Sequence, residues 1–166
     1  SAERMKGVAC VITGHDVPCN AYGLYVADQP ILCTERVRYE GDPVVALCAE
    51  SWEIAEEAVR KIKVKYENLP PVTDPEEALR PECPVIHEAN PTKNQILIWK
   101  VRRGEIEAGF AESDFIVEDR YYSRPQEHAS IEPHICMAEV DSYGKLTVFV
   151  STQTPYIMRA NLCKVL

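Results

Sequence analysis

The feature that most constrains this chain is an amphipathic helical pattern that begins behind Ser51. Apolar side chains recur there at helical spacing, at Ile54, Ala55, Ala58, Val59 and Ile62. Charged residues fall mostly on the other side of the same turns, and the Ser51 hydroxyl can cap the first turn. Apolar runs at 7–12 and 44–49 precede the helix and an alternating run at 63–66 follows it, so these runs predict strands. The first half therefore has an α+β or α/β pattern.

The second half predicts a similar mixture of strands and helices. Strands are expected at 95–101, 115–121, 135–140 and 146–150, and helices at 106–111 and 156–166. Residues 141–144 read as the turn of a hairpin between the last two strands. Between the halves, Asp74 caps a short helix with Pro75 at its first position, and Pro81 ends it. Three prolines between residues 80 and 94 mark a linker or an extended crossing segment.

The composition restricts the possible partners. The chain has 26 acidic and 18 basic side chains and a formal net charge of -8, which disfavours nucleic acid as the main partner. Apolar residues make up 46% of the chain, enough for a globular core. No apolar run has the length needed to cross a bilayer, and the first residues do not resemble a signal peptide. We expect a cytoplasmic protein.

Seven cysteines occur, with no pair two or three residues apart. Zinc and iron–sulfur sites usually contain such close pairs, so a metal cluster within the chain is not expected. Cys10, Cys48 and Cys136 lie in apolar runs, where a free thiol behaves as a small hydrophobe. We interpret all seven as reduced structural cysteines.

Few residues carry an obvious chemistry. Residues 126–128 (QEH) and 132–134 (EPH) place two imidazoles and two carboxylates close together, which could bind a metal or perform acid–base work. The proline between the histidines and their spacing favour a structural role in loops. Residues 151–155 (STQTP) form a polar exit from a strand before a helix, a position that often presents groups to a ligand. Lys100, Arg102 and Arg103 are expected at a solvated strand end, and His15 and His87 stand alone.

Several stretches, in order along nearly the whole chain, resemble the large subunit of molybdenum hydroxylases, the xanthine dehydrogenase and aldehyde oxidase family. They are GVACV (7–11) with HDVP (15–18), VRYEGDPV (37–44), VKYENLPPV (64–72), GEIEAGF (104–110), QEH (126–128) with EP (132–133), and STQTP (151–155). The resemblance implies an α+β chain. It also implies an α/β hammerhead domain at 1–80, N-terminally incomplete, and a linker and crossing strand at 81–103. The opening strands and helix of the molybdopterin-binding domain follow at 104–166, C-terminally incomplete.

The resemblance also implies cofactors and a site. In the family the glutamine of the STQ segment reaches an oxygen ligand of molybdenum, so Gln153 is the expected cofactor-binding residue. No residue of the chain is assigned a direct catalytic role or a metal bond. Molybdenum–molybdopterin would be held by the full enzyme, and [2Fe–2S] clusters and FAD by other subunits or segments. The family's Gly-rich stretch, substrate-binding arginine and base glutamate are expected beyond residue 166.

The expected function follows from that resemblance. The chain would belong to a hydroxylase that oxidises an electron-poor carbon with water as the oxygen source, with xanthine or hypoxanthine as the first-choice substrate. An aldehyde or another N-heterocycle is the alternative substrate. The isolated fragment is expected to be inactive and to need the remainder of the molybdenum subunit and the iron–sulfur and FAD subunits as partners. The competing interpretation is a non-catalytic scaffold or assembly module of the same family.

Overall fold

The computed structural model describes residues 2–166 and forms two compact units. The first unit runs to Ile98 and includes Tyr156–Leu166, and the second is Trp99–Pro155. Both contain helices and strands, so the predicted α+β class is confirmed. No helix within residues 2–166 combines the length and the apolar character that a membrane span requires.

The first unit is built on a two-stranded antiparallel sheet. Strand β1 (Val8–Thr13) pairs with β2 (Val45–Ala49), and a bulge interrupts the register between Val8 and Cys10. A short 3-10 turn at Ala2–Arg4 precedes β1. The sheet has one half-buried face, carrying Val11, Leu47 and Val45, and one exposed face.

Helix α1 (Trp52–Lys61) packs against both strands, as its amphipathic pattern predicts. The Ser51 hydroxyl accepts a hydrogen bond from the Ile54 amide at 3.4 Å, and Ala58 is fully buried. Gly7 sits against this helix with φ +85°, and a Cβ at Gly7 would lie 2.7 Å from Ile54 Cδ1. Only glycine accepts both that conformation and that approach without strain. Helix α2 (Pro75–Ala78) follows, with the Asp74 carboxylate accepting from two backbone amides of its first turn.

The second unit contains a helix and a hairpin. Helix α3 spans Ile106–Ala111, and strands β3 (Cys136–Val140) and β4 (Leu146–Val150) pair in an antiparallel ladder. The Asp141 carboxylate accepts hydrogen bonds from the Tyr143 and Lys145 amides, and Gly144 adopts φ +81°. This side-chain-supported turn confirms the predicted hairpin. Helix α4 (Pro155–Val165) begins after β4, as predicted from Pro155, and from Tyr156 onward it belongs to the first unit.

Three predicted strands are wrong. The segments at 63–66, 95–101 and 115–121 form no strand in the structure. A strand needs a neighbour that receives its backbone hydrogen bonds, and these segments have no ladder partner within residues 2–166. The alternation of apolar and polar residues indicates that a segment could lie in a sheet. It does not show that a second strand is present to pair with that segment.

Cys10, Cys48 and Cys136, which were expected to behave as small hydrophobes in apolar runs, are not buried in this structure. All three are exposed, whereas Cys33 is buried, and all seven thiols are free. Each of the three lies on a two-stranded sheet, and no other element in the described chain covers the side of the sheet on which it lies. An apolar run therefore predicted the strands correctly without predicting which face would be covered.

Much apolar surface is uncovered. Every residue in the range 96–147 is exposed, including Phe115 at 90% and Ile131 at 99%. The chain exposes 15275 Å², whereas two separate compact domains of these sizes would expose about 10,000 Å² together. Large apolar side chains exposed in such numbers are typical of segments that pack against other protein.

Candidate functional site

Gln153 lies in the short loop between β4 and α4. The loop is held by its threonines: the Thr154 amide donates to Thr152 Oγ1 at 3.1 Å, and the two hydroxyl oxygens are 3.5 Å apart. Gln153 itself is exposed. Among the described residues no group bonds to its side-chain amide, so both the donor and the acceptor of that amide can serve a group outside this chain.

The segment with the two histidines forms no closed site. Residues 126–134 are irregular and exposed throughout. The Glu127 carboxylate accepts from the Ala129 amide at 3.2 Å, and Ala129 has a positive φ of 51°. Within residues 2–166 no three His, Cys, Asp or Glu side chains converge as a metal site would require. Glu127 stabilises a local turn through its bond to the Ala129 amide, and the structural role of the whole segment stays a prediction.

The basic residues Lys100, Arg102 and Arg103 are exposed, as expected for solvated side chains. The strand whose end they were predicted to occupy is not formed. They lie in irregular chain, and the described residues provide no acidic partner within ion-pair distance of them. Their charges are free to meet another surface, but nothing in their arrangement forms a pocket.

The first unit contains a polar pocket of about 350 Å³, lined by Asn20, Pro30, Thr34, Glu35, Arg36, Arg38 and Glu88. Gln153 does not line it. The Arg36 guanidinium forms an ion pair of 2.6 Å with Glu88. Arg38 donates from Nε to the Ile86 carbonyl at 2.9 Å and from a terminal nitrogen to the Arg36 carbonyl at 3.3 Å. Both guanidinium groups are engaged, so the pocket holds chain segments together and offers no free cation to an anionic ligand.

These arginines fasten the segment that follows α2 to an earlier loop of the first unit, because Arg36 binds Glu88 and Arg38 binds the Ile86 carbonyl. His87 adds a third contact: its Nδ1 lies 3.1 Å from the Asp28 carbonyl oxygen and 3.5 Å from the Asp28 carboxylate, which is nearly buried. Asn94 holds this segment together by three hydrogen bonds. Its side-chain nitrogen donates to the Ala78 and Pro84 carbonyls, and its side-chain oxygen accepts from the Ile86 amide. Sequence reasoning missed all of these contacts and treated His87 as an isolated residue.

Cys33 and Asp16 are among the groups of the first unit whose pKa is shifted. Burial raises the pKa of the Cys33 thiol to about 11, and the adjacent Asp42 carboxylate adds to the effect. A thiol with so high a pKa is almost entirely protonated at neutral pH and is chemically inert. The pKa of Asp16 is lowered because its carboxylate accepts from the Thr13 amide at 2.7 Å and from the Thr13 hydroxyl at 2.9 Å. Both effects are structural, and neither group is a residue of the predicted site.

Two protein families match the chain in succession. Residues 1–70 match the a/b hammerhead domain of aldehyde oxidase and xanthine dehydrogenase. Residues 86–166 match a molybdopterin cofactor-binding domain. The two matches leave only residues 71–85 between them, and they occur in the order that the resemblance implies.

Curated relatives match over almost the whole chain. A probable xanthine dehydrogenase subunit from Bacillus subtilis (strain 168) is 38% identical over 99% of this chain and 22% of its own length. The nicotinate dehydrogenase large molybdopterin subunit of Eubacterium barkeri is 32% identical over 99% of this chain and 38% of its own length.

Solved structures match as well. Quinoline 2-oxidoreductase from Pseudomonas putida 86 is 28% identical with a TM-score of 0.73, over 99% of this chain and 22% of that one. Aldehyde oxidoreductase from Desulfovibrio gigas is 30% identical with a TM-score of 0.70, over 90% of this chain and 17% of that one.

The fold and the order of these segments define a hammerhead domain joined to the start of a molybdopterin-binding domain. The chain belongs to the xanthine dehydrogenase and aldehyde oxidase family of molybdenum hydroxylases. It spans about a fifth of the length of the Bacillus relative and under two fifths of the Eubacterium relative. The predicted family and fold class are confirmed.

Proposed function

We propose that this chain is part of the large subunit of a molybdenum-dependent hydroxylase. Its hammerhead domain would occupy residues 1–80, a linker and crossing segment residues 81–103, without the strand first expected there, and the start of the molybdopterin-binding domain residues 104–166. The succession of the two family matches along the chain is the observation that carries the proposal. The activity, the substrate and the partners below are proposed for the protein of which this sequence would be a part.

The uncovered hairpin supports a role inside a larger subunit. Strands β3 and β4 pair Cys136 with Val150, Ala138 with Val148 and Val140 with Leu146. Because directly opposite residues point to the same side, these three pairs make one wholly apolar face. An isolated two-stranded hairpin is only marginally stable in water. We infer that other segments of the same subunit cover this face and that the chain by itself is inactive.

The loop at 151–154 fits one contact to a molybdenum–pterin group. Gln153 supplies a neutral side-chain amide that could donate to an oxygen of the group. Its loop is fixed by the hydrogen bond between the Thr154 amide and the Thr152 hydroxyl. Neutral donors suit such an oxygen because they orient it without adding a full charge. The described residues around the loop include no further cluster that would hold the pterin, so the remaining anchors are proposed to lie elsewhere in the subunit.

When bound, the molybdenum–pterin group would accept two electrons from an electron-poor carbon that gains oxygen from water. Gln153 would orient the centre through its amide, as a positioning contact that takes no proton. The electrons would leave through [2Fe–2S] clusters and FAD on other subunits or segments. We propose a cytoplasmic location for the assembly.

A purine, xanthine or hypoxanthine, is the first-choice substrate. Two relatives support this choice by their names. One is the probable xanthine dehydrogenase subunit of Bacillus, and the other is a probable hypoxanthine oxidase of Escherichia coli strain K12 that is 29% identical over 98% of this chain. An N-heterocycle or an aldehyde is the alternative, because the Eubacterium relative is named for nicotinate and the two solved structures for quinoline and aldehydes. Initial rates with xanthine, hypoxanthine, nicotinate and an aldehyde, measured on the purified native enzyme, distinguish them.

Gln153→Ala in the complete enzyme tests the assignment of the cofactor contact. Loss of one outer contact to a metal centre typically lowers activity about tenfold to a hundredfold, and we expect a fall in kcat of that size. Circular dichroism should be unchanged because Gln153 is exposed and bonds to nothing in the chain.

Gln126→Ala is the matched control, since Gln126 is another exposed glutamine of the same unit. It should leave kcat and molybdenum content unchanged. Equal turnover in wild-type and Gln153→Ala enzyme would contradict the assignment. A full-length protein that binds molybdenum but oxidises none of the four substrates would favour the scaffold interpretation.

A further inference from the structure

Two cysteines lie directly opposite each other in the sheet of the first unit. The register of β1 and β2 pairs Cys10 with Cys48, followed by Val11 with Leu47 and Ile12 with Ala46. Opposite residues of an antiparallel ladder project to the same side of the sheet. Both thiols are free, and they lie on the exposed face of the sheet.

The spacing of the pair is close to that of a disulfide. Directly opposite residues have Cβ atoms about 4.5–5.5 Å apart, whereas a disulfide needs about 3.5–4.5 Å. The strands must therefore approach by up to about 1 Å before the bond can form. The bulge between Val8 and Cys10 lies next to the pair, so the spacing of the two strands already departs from the regular ladder there.

From this juxtaposition we propose that Cys10 and Cys48 form a reversible cross-strand disulfide, a thiol–disulfide modification site on the hammerhead sheet. This goes beyond the proposed hydroxylase activity and does not depend on molybdenum. Strain makes such a disulfide easier to reduce than an ordinary structural one. The site would therefore respond to the surrounding thiol pool instead of stapling the fold permanently.

The oxidant is a small disulfide such as oxidised glutathione. The thiolate of one cysteine attacks it, forms a mixed disulfide and releases one glutathione thiolate. The thiolate of the other cysteine then attacks the mixed disulfide, forms the Cys10–Cys48 bond and releases the second glutathione thiolate. The protein loses two protons and two electrons, and the oxidant is reduced to two thiols.

The other cysteines provide an internal comparison. Cys136 is also exposed on a strand, but the residue opposite it is Val150. It can accept glutathione but has no thiol across the ladder to complete an intrachain bond. Cys33 is buried, and burial raises the pKa of its thiol, so it should react slowly.

The test uses the full-length protein, reduced, desalted, and then incubated with oxidised glutathione. Free thiols are blocked with N-ethylmaleimide, and the unreduced protein is cleaved on the N-terminal side of aspartate. That cleavage separates Cys10, Cys19, Cys33 and Cys48 into four peptides, because it cuts at Asp16, Asp28 and Asp42. Mass spectrometry should find the Cys10 and Cys48 peptides linked to each other. The Cys136 peptide should carry glutathione without a link to another peptide, and reduced glutathione should reverse the Cys10–Cys48 link.

The variant Cys48→Ser should convert the linked species into a glutathione adduct on Cys10, while Cys136→Ser should leave the link intact. Cys48 and Cys136 are both exposed, so both variants should fold. If one variant does not fold, the measurement on wild-type protein still tests whether the Cys10–Cys48 link forms. Separate glutathione adducts on Cys10 and Cys48, or two unmodified thiols in wild-type protein, would overturn the proposal. Loss of activity in Gln153→Ala would have no bearing on it.

Discussion

The loop between β1 and β2 depends on one asparagine side chain. The Asn20 amide oxygen accepts hydrogen bonds from the Ile31 amide at 2.9 Å and the Leu32 amide at 3.0 Å. Its nitrogen donates to the Leu32 carbonyl oxygen at 2.7 Å. All three contacts are half-buried and reach 11 or 12 residues along the chain. Asn20→Ala would remove them together and leave two amides and one carbonyl without a protein partner.

The expected magnitude follows from the number of contacts. Each hydrogen bond contributes about 1 kcal/mol net, and an unsatisfied buried group costs about 1–3 kcal/mol. Water can reach part of this half-buried loop, so we expect the local opening free energy to fall by about 2–3 kcal/mol. That difference corresponds to exchange about thirtyfold to about 150-fold faster at the Ile31 and Leu32 amides.

Hydrogen exchange followed by mass spectrometry measures this directly, in a peptide that contains Ile31 and Leu32. Asn68→Ala is the matched control, because Asn68 is exposed and should leave exchange in that peptide unchanged. The Tyr22–Gln29 bridge lies inside the same loop and should also exchange faster. Identical exchange in wild-type and Asn20→Ala protein would refute the idea that this side chain closes the loop.

Gly14→Ala should lower Tm, because a Cβ there would lie 2.2 Å from the Leu32 carbonyl oxygen; overpacking of this kind costs about 1–3 kcal/mol. Gly109→Ala in α3 is its control and should not lower Tm, since no atom lies within 4 Å of the added Cβ. The lowered pKa of Asp16 stabilises the fold above the ordinary carboxyl pKa, and that stabilisation is lost as the pH falls through the lowered value. Between about pH 5 and about pH 2, Asp16→Asn protein should therefore lose less Tm than wild type, and equal losses would contradict the assignment.

Elements with local signals could be predicted from the sequence. The Ser51 cap and the apolar spacing behind it identified α1, and Asp141 with Gly144 identified the hairpin of β3 and β4. Capping and turn chemistry act within four residues, so a single sequence contains them in full. The segments at 63–66 and 115–121 also carry strand patterns, but pairing requires a partner that the described chain does not provide.

The contacts around the polar pocket could not be predicted. Arg38 meets Ile86 across 48 residues, and His87 meets Asp28 across 59. Nothing in the spacing of these residues distinguishes them from ordinary surface side chains. Gln153 is a different case: its role comes from resemblance to the family, its exposed position is compatible with that role, and the assignment stays a prediction.

Molybdenum content of the native protein that carries this sequence tests the central proposal most directly. The protein would be purified from its source cell after growth with molybdate, and metal per polypeptide would be measured by plasma mass spectrometry. The proposed subunit predicts about one molybdenum per polypeptide, since one subunit would hold one pterin-bound metal. Protein that contains no molybdenum, from cells whose other molybdenum enzymes are active, would contradict a role in a molybdenum hydroxylase.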